Sequence, residues 1–268
     1  MTPPVPAAQT LIQTNDRASV DAFLQELEQE AMRHRALNHP WIELVENAEG
    51  ELLEHLCSSF AKHYQAYSAW FPRYLKTLID RLEDPRHQEL LGENLAEEKG
   101  TLHEEDREAL VERGIDVASV EGVSHPALFR RYVDALGVDC SEAPAVSLRW
   151  RTRFLTFLAQ AHPAAGVGAM GIGTETIVGP LYERLIKGIA RLPKLSREDY
   201  VFFELHCEVD DQHQKDLLSI AADLADTPLG RSALRQGVNT ALDLRVELWN
   251  HLYREAVETG LVGEGVQS

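Results

Sequence analysis

Two histidines and one aspartate stand at the spacing His206-x3-Asp210-x2-His213 in the last third of the chain. At about 100° per residue, the three side chains fall within about 60° of one another on one helix face. Two imidazoles and one carboxylate on one face form a ligand set for iron, manganese or zinc. The same spacing also occurs on solvated helix faces, so this motif alone favours neither alternative.

Two glutamates stand out because of their surroundings. Glu175 is the one acid in a run of small and apolar residues that begins at Gly166. A carboxylate there is costly unless it is paired or bound to a metal. Glu98 ends a patterned helix over residues 85–98. The alternatives are an ion pair between Glu175 and Arg184, and an exposed helix end for Glu98. The glycines before Glu175 either open space for a substrate or let helices pack closely.

The elements that must position these residues are helices. Apolar residues recur at helical spacing along nearly the whole chain, and no segment alternates as a strand would. Residues 101–123 form an acidic insertion with one short helix over 104–113, and Pro72 predicts a kink in a long helix over 51–82. The other predicted helices span residues 18–37, 85–98, 126–136, 144–161, 166–189, 197–224 and 230–259.

This pattern predicts an all-α, single-domain helical bundle. Residues 1–16 are interpreted as a Pro- and Ala-rich disordered leader, residues 17–260 as the helical domain and residues 261–268 as a tail. The net charge of −17 disfavours binding to nucleic acid or to an anionic membrane surface. No apolar run approaches the roughly 20 residues that span a bilayer. Three scattered cysteines indicate no disulfide framework. We therefore expect a cytoplasmic protein.

Four motifs in order resemble those of the heme-oxygenase-like di-metal oxidases, which are non-heme di-iron oxidases and oxygenases. The motifs are Asn94-Leu-Ala-Glu-Glu-Lys-Gly100, Ser124-His-Pro-Ala-Leu-Phe129 followed by Tyr132 and Gly137, then Glu175, and the histidine–aspartate motif. The resemblance covers roughly residues 38–217. It implies a heme-oxygenase-like bundle that binds two Fe²⁺ ions, or a manganese–iron pair, with O2 as co-substrate. The catalytic metal ligands that it implies are Glu98, His125, Glu175, His206, Asp210 and His213.

The chain departs from the family pattern at one ligand. Glu98 and His125 are separated by the acidic insertion, which is longer than the spacing usual in the family, and His103 is a nearer alternative. We prefer His125 because the apolar face of residues 126–136 fixes its helix.

Two further departures concern the reaction. N-oxygenating members of the family carry an extra carboxylate on the second helix, whereas residues 61–79 contain neither Asp nor Glu. Members that convert their own tyrosine into an aminobenzoate have a Tyr near positions 41–44 and a Lys in register before the glycine that corresponds to Gly188. This chain has no Tyr at 41–44, and Lys187 is out of register.

The resemblance therefore implies an O2-dependent oxidoreductase that acts on a small amino-acid-like or fatty-acid-like metabolite. The expected reaction is C–H abstraction leading to desaturation or C–C cleavage, through a peroxo-diferric intermediate. The alternatives are N-oxygenation of an amine at the same di-iron site, and a metal-free binding or regulatory bundle. The expected partner is a small-molecule substrate, and neither nucleic acid nor a membrane is expected as a partner. The sequence allows an external electron donor and a homodimer.

Overall fold

A computed structural model describes residues 7–208 and 210–262, without the side chains of residues 7–16, 105, 208 and 210–212. The described residues form helices and connecting turns with no strand, which confirms the all-α single-domain prediction. The helices are α1 (Ala7–Arg33), α2 (Pro40–Asn47), α3 (Gly50–Ser68), α4 (Phe71–Ile79), α5 (Pro85–Glu98), α6 (Glu104–Glu112), α7 (His125–Leu136), α8 (Ala145–Gln160), α9 (Pro163–Met170), α10 (Thr176–Ile189), α11 (Val201–Glu208), α12 (Asp210–Leu224) and α13 (Pro228–Glu258). None of these is long and apolar enough to cross a lipid bilayer.

Several helix ends lie where the sequence predicts them. Asp84 caps α5 by accepting a hydrogen bond from the Arg86 amide, and Gly137 ends α7 in the left-handed conformation, with φ of 71°. The first helix differs from the prediction, since it begins at Ala7, so residues 7–16 of the predicted leader are helical. Their Ala, Leu and Gln residues favour a helix. The sequence analysis also assigned no helix to residues 40–47, where α2 lies.

The predicted kink at Pro72 is wrong, because the chain breaks there into two helices. α3 ends at Ser68, and Pro72 lies in the first turn of α4. Proline has no backbone N–H to donate, and the first turn is the part of a helix where that donor has no acceptor within the helix. Proline therefore starts a new helix here instead of bending an existing one.

The helix predicted over 166–189 is also divided. A π-helical turn, Gly171–Glu175, separates α9 from α10, and within it the Thr174 hydroxyl donates to the Ala169 carbonyl at 2.9 Å. π turns are frequent at functional sites, and the extra residue changes the direction of the side chains that they carry. The turn ends at Glu175, so it determines where this carboxylate points.

The glycines before Glu175 allow close helix packing. A Cβ added to Gly168 would lie 2.2 Å from the backbone oxygen of Leu234 on α13, and one added to Gly173 would lie 2.8 Å from the Ala241 Cβ. Of the two alternatives that the sequence left open, close packing is therefore the one found at these positions. α9 packs along α13, and the π turn that follows α9 contacts α12, the helix that carries His213.

Candidate metal centre

Five of the six candidate ligands have described side chains, and all five are buried. Relative exposure is 2% for Glu98, 4% for His125, 6% for Glu175, 8% for His206 and 2% for His213. They come from the end of α5, the start of α7, the end of the π turn, α11 and α12. The exposed alternatives for Glu98 and for the histidine face are therefore wrong. Asp210 begins α12, but its side chain lies outside the described residues.

The acidic insertion closes on itself and brings Glu98 to His125. The Gly122 amide donates to the Gly100 carbonyl at 2.9 Å, so both ends of the insertion meet. Gly100 has φ of 103°, and a Cβ there would lie 2.8 Å from the backbone of Gly122, so this contact requires glycine. As a result the Nδ1 atom of His125 lies 3.0 Å from Oε1 of Glu98, although 27 residues separate them.

Glu98, His125 and His206 form one compact cluster. One potential ligand atom from each lies within 4.8 Å of the others, and the two imidazole rings are 4.7 Å apart. The Nδ1–H of His206 donates to the Phe202 carbonyl at 2.7 Å, which leaves the Nε2 lone pair free. Burial, together with the charge of His125, lowers the pKa of His206 to about 3. The imidazole is therefore neutral at physiological pH, the form that binds metal.

His213 is held by a residue that the sequence analysis did not select. Its Nε2 atom lies 2.6 Å from Oε2 of Glu97, and the other oxygen of Glu97 lies 3.1 Å from Nε2 of His103. Glu97 is buried, with 4% exposure, whereas the His103 side chain is 56% exposed. The structure thus places His125, and not His103, beside Glu98. The sequence feature that could have pointed to Glu97 is the pair of consecutive acids at the end of α5.

Glu175 faces the histidines. Burial raises the pKa of Glu175 to about 7. The charge at His213 lowers this pKa, whereas the charge at Glu98 raises it further. The alternative ion pair with Arg184 is wrong, because Arg184 binds Glu46 at 2.8 Å. A buried carboxylate whose pKa is raised in this way gains when a cation is bound beside it.

The balance of charges is different at Glu98. Burial alone would raise its pKa, but the charge and the hydrogen bond of His125, together with His206 and His213, more than offset this and hold the pKa below its ordinary value. Asn94, one turn earlier on α5, is 1% exposed and both of its amide atoms lack a hydrogen-bond partner. Buried polar groups are almost always hydrogen-bonded, so Asn94 is an exception that no sequence pattern indicated.

A cavity adjoins the candidate metal centre, and four of the candidate ligands line it: Glu98, His125, Glu175 and His206. The remaining wall is mostly aromatic and apolar, and comprises Tyr64, Tyr67, Ser68, Phe71, Thr174, Val178, Tyr182 and Phe202. Mostly apolar walls with a few convergent polar groups are typical of sites for small molecules. The ligand set and the cavity are therefore parts of one site.

Fold and site together define an all-helical protein with a buried histidine–carboxylate centre of the kind that binds iron. The chain belongs to the family of iron-containing redox enzymes, whose family model matches residues 58–246. It is thus an oxidoreductase by family, and the resemblance to heme-oxygenase-like oxidases is confirmed.

Similar proteins agree with this assignment. A 4-aminobenzoate synthase of Chlamydia muridarum is 27% identical over 200 residues, which cover 72% of this chain and 75% of that protein. The 4-aminobenzoate synthase of Chlamydia trachomatis serovar D is also 27% identical, over 72% of this chain and 77% of its own.

Solved structures show the same fold. A CADD-like protein of unknown function from Nostoc punctiforme has a TM-score of 0.67 at 16% identity, and the match covers 92% of this chain and 100% of that one. A domain of unknown function with a heme oxygenase-like fold, from Shewanella denitrificans, has a TM-score of 0.62 at 12% identity, covering 98% and 99% of the two chains. The fold is therefore heme-oxygenase-like.

Proposed function

We propose that the protein is an O2-dependent non-heme di-iron oxidase of a small metabolite. One observation carries this proposal: Glu98, His125 and His206 converge in the core, with His206 neutral, beside an aromatic cavity. Imidazoles and carboxylates are ligands that suit iron. A binding protein without a metal would gain nothing from burying these groups together, since each loses hydration there.

In this proposal the six residues divide into two sets. Glu98, His125 and His206 hold one iron, and Glu175, Asp210 and His213 hold the other. The hydrogen bond to Glu97 occupies Nε2 of His213, so His213 would bind the metal through Nδ1 or give up this hydrogen bond. Glu98 and Glu175 are both buried, and neither has an Arg or Lys within ion-pair distance among the described residues. Such carboxylates fit a site that receives cationic charge.

Iron held by these residues would supply the electrons that activate O2, and an external electron donor would restore them. The residues of the chain provide the setting. The aromatic walls exclude water and hold the apolar part of the substrate, and the Nδ1–H bond from His206 to the Phe202 carbonyl keeps that ring oriented. Buried carboxylates near the reacting atoms are also candidates to accept a proton from the substrate.

The reaction that we propose is C–H abstraction leading to desaturation or C–C cleavage, and not N-oxygenation. α3 presents Tyr64, Tyr67 and Ser68 to the cavity, so the helix that would carry an additional carboxylate offers only hydroxyls. The activity for which the chlamydial relatives are named is not proposed for this chain. Lys187 is exposed and bound to Glu46 at 2.6 Å, away from the cavity.

Anaerobic reconstitution tests this proposal. Metal-free protein is loaded with ferrous iron, bound iron is counted after desalting, and O2 uptake is followed with small carboxylic and amino acids. We expect two irons per chain and substrate-dependent O2 uptake, both reduced in His206→Gln. The exposed His162, which caps α9, provides the matched control His162→Gln. Iron below stoichiometry in the wild type, or equal loading in both variants, would contradict the proposal and favour a metal-free binding protein.

A further inference from the structure

Arg245 is a buried cation behind the aromatic wall of the cavity. It lies on α13, is 1% exposed, and packs against the rings of Tyr67 and Trp150, with its guanidinium carbon 5.9 and 5.7 Å from their centres. Its Nη1 atom donates to the Tyr64 hydroxyl at 3.3 Å, and its Nε–H has no partner. Within the described part of the chain, no carboxylate lies within ion-pair distance of it.

Such an arrangement is unfavourable unless another group compensates it. A guanidinium loses its hydration on burial, and rings recover only part of that loss. The negative charge at Glu175 acts on Arg245 from a longer distance, but that carboxylate belongs to the candidate metal centre. Arg245 therefore lacks a counter-ion of its own.

The hydroxyls next to Arg245 have one proton too many for their acceptors. Tyr64 and Tyr182 share one hydrogen bond, with their oxygens 2.9 Å apart, and Tyr64 also accepts from Arg245. Arginine only donates, and each phenol carries one proton. Whichever phenol donates to the other, the second proton has no acceptor among the described residues. Both phenols line the cavity, so this proton is available to an acceptor placed there.

We propose that Tyr64 and Tyr182, with Arg245 behind them, form a subsite for the carboxylate of a small substrate. The carboxylate accepts the free phenolic proton and supplies the negative charge that Arg245 lacks. Arg245 is a positioning residue, because it does not line the cavity and acts through Tyr64. The substrate class is thus a small carboxylic acid with a compact apolar body, since most of the surrounding wall is aromatic or apolar.

The same geometry orients the substrate. The Tyr182 ring lies 5.7 Å from the His206 ring, and both line the cavity. With the carboxylate at the two phenols, the opposite end of the substrate points to Glu98, His125 and His206. This orientation rests on the proposed function, whereas the carboxylate subsite itself does not require iron.

Binding of benzoate and benzamide to the metal-free protein, measured by titration calorimetry with a chelator present, tests the subsite. The two probes have the same shape and differ in charge. Since a hydrogen bond to a charged group is roughly ten- to hundredfold in affinity, we expect benzoate to bind at least about tenfold more tightly than benzamide. In Arg245→Met this preference disappears, while Arg245→Lys retains part of it. Arg235→Met, at a partly exposed site on the same helix that does not line the cavity, keeps the wild-type preference.

The possible outcomes separate the two proposals. Absence of saturable benzoate binding by the wild type, equal affinity for both probes, or an unchanged preference in Arg245→Met overturns the subsite. If Arg245→Met does not fold, Tyr64→Phe provides the test, because it removes the hydroxyl through which Arg245 acts and is expected to reduce the preference severalfold; an unchanged preference there overturns the subsite. Iron loading is measured separately. A benzoate preference in a protein that binds no iron supports the subsite and contradicts the di-iron proposal.

Discussion

Replacing Glu175 by Gln tests whether the ionised, buried carboxylate destabilises the metal-free protein, a cost that a bound metal would remove. Burial raises the pKa of Glu175 from 4.5 to about 7, His213 and Arg245 partly offset this effect, and Glu98 adds to it. Ionised Glu175 is therefore unfavourable in the folded, metal-free protein. Gln has the same shape as the protonated acid and cannot ionise, so it isolates the cost of the charge.

The magnitude follows from the pKa. One pKa unit corresponds to about 1.4 kcal/mol, so the shift at Glu175 corresponds to about 3 kcal/mol. The folded state holds the proton more tightly than the unfolded state. The free energy of unfolding therefore falls as the pH rises from 4.5 to about 7 and is constant above that. Metal-free Glu175→Gln is expected to be more stable than the wild type by about 3 kcal/mol near pH 8, and equally stable near pH 4.

Urea denaturation of both metal-free proteins across this pH range measures the difference. Glu46→Gln is the matched control with the opposite sign, because hydrogen bonds from Lys187 and Arg184 hold the pKa of Glu46 below its ordinary value despite its partial burial. It should be less stable than the wild type near neutral pH, and the deficit should shrink as Glu46 is protonated in acid. A Glu175→Gln protein that is less stable than the wild type, or a difference independent of pH, would refute the reasoning. The same variant should bind less iron, since it lacks one anionic ligand.

Three other predictions concern the ligands, the surface and the packing. His125→Gln should reduce bound iron, whereas His103→Gln should leave it unchanged; iron counts after desalting decide this, and the reverse result would make His103 the ligand. Glu255→Gln should destabilise the protein near neutral pH by less than about 1 kcal/mol, since the group is partly exposed. A hydrogen bond from His63 lowers the pKa of Glu255 to about 2, so this deficit should disappear as the pH falls from 4.5 to about 2 in acid titrations of unfolding; a deficit independent of pH would contradict it. Gly168→Ala should lower stability by about 2 kcal/mol or more, because its Cβ would meet a backbone oxygen of α13 at 2.2 Å. Gly92→Ala, in an open position of α5, should raise stability by about 0.5–1 kcal/mol. Thermal unfolding measures both variants, and equal effects of the two glycine changes would contradict the close packing of α9 against α13.

The helices and the chemistry of the ligands could be predicted from the sequence because both depend on local residues. A helix forms through contacts three and four residues apart, so periodicity, Asp84 and Gly137 locate α5 and α7 without knowledge of the fold. The same periodicity indicates helix around His206 and His213, but the single helix predicted over 197–224 is divided, and the two histidines lie on α11 and α12. The family resemblance then added Glu98, His125 and Glu175, all of which the structure buries around one site.

Other features depended on packing between segments that lie far apart in the chain. Glu98 reaches His125 because Gly100 and Gly122 close the insertion. Glu97 meets His213 across 116 residues, and Arg245 meets Tyr64 across 181. In the sequence Glu97 is one acid among 43, and Arg245 resembles any charged residue of a surface helix. Local patterns report which face of a helix is apolar, but not which partner covers it. Only the tertiary structure could place beside the cavity a buried cation that has no counter-ion among the described residues.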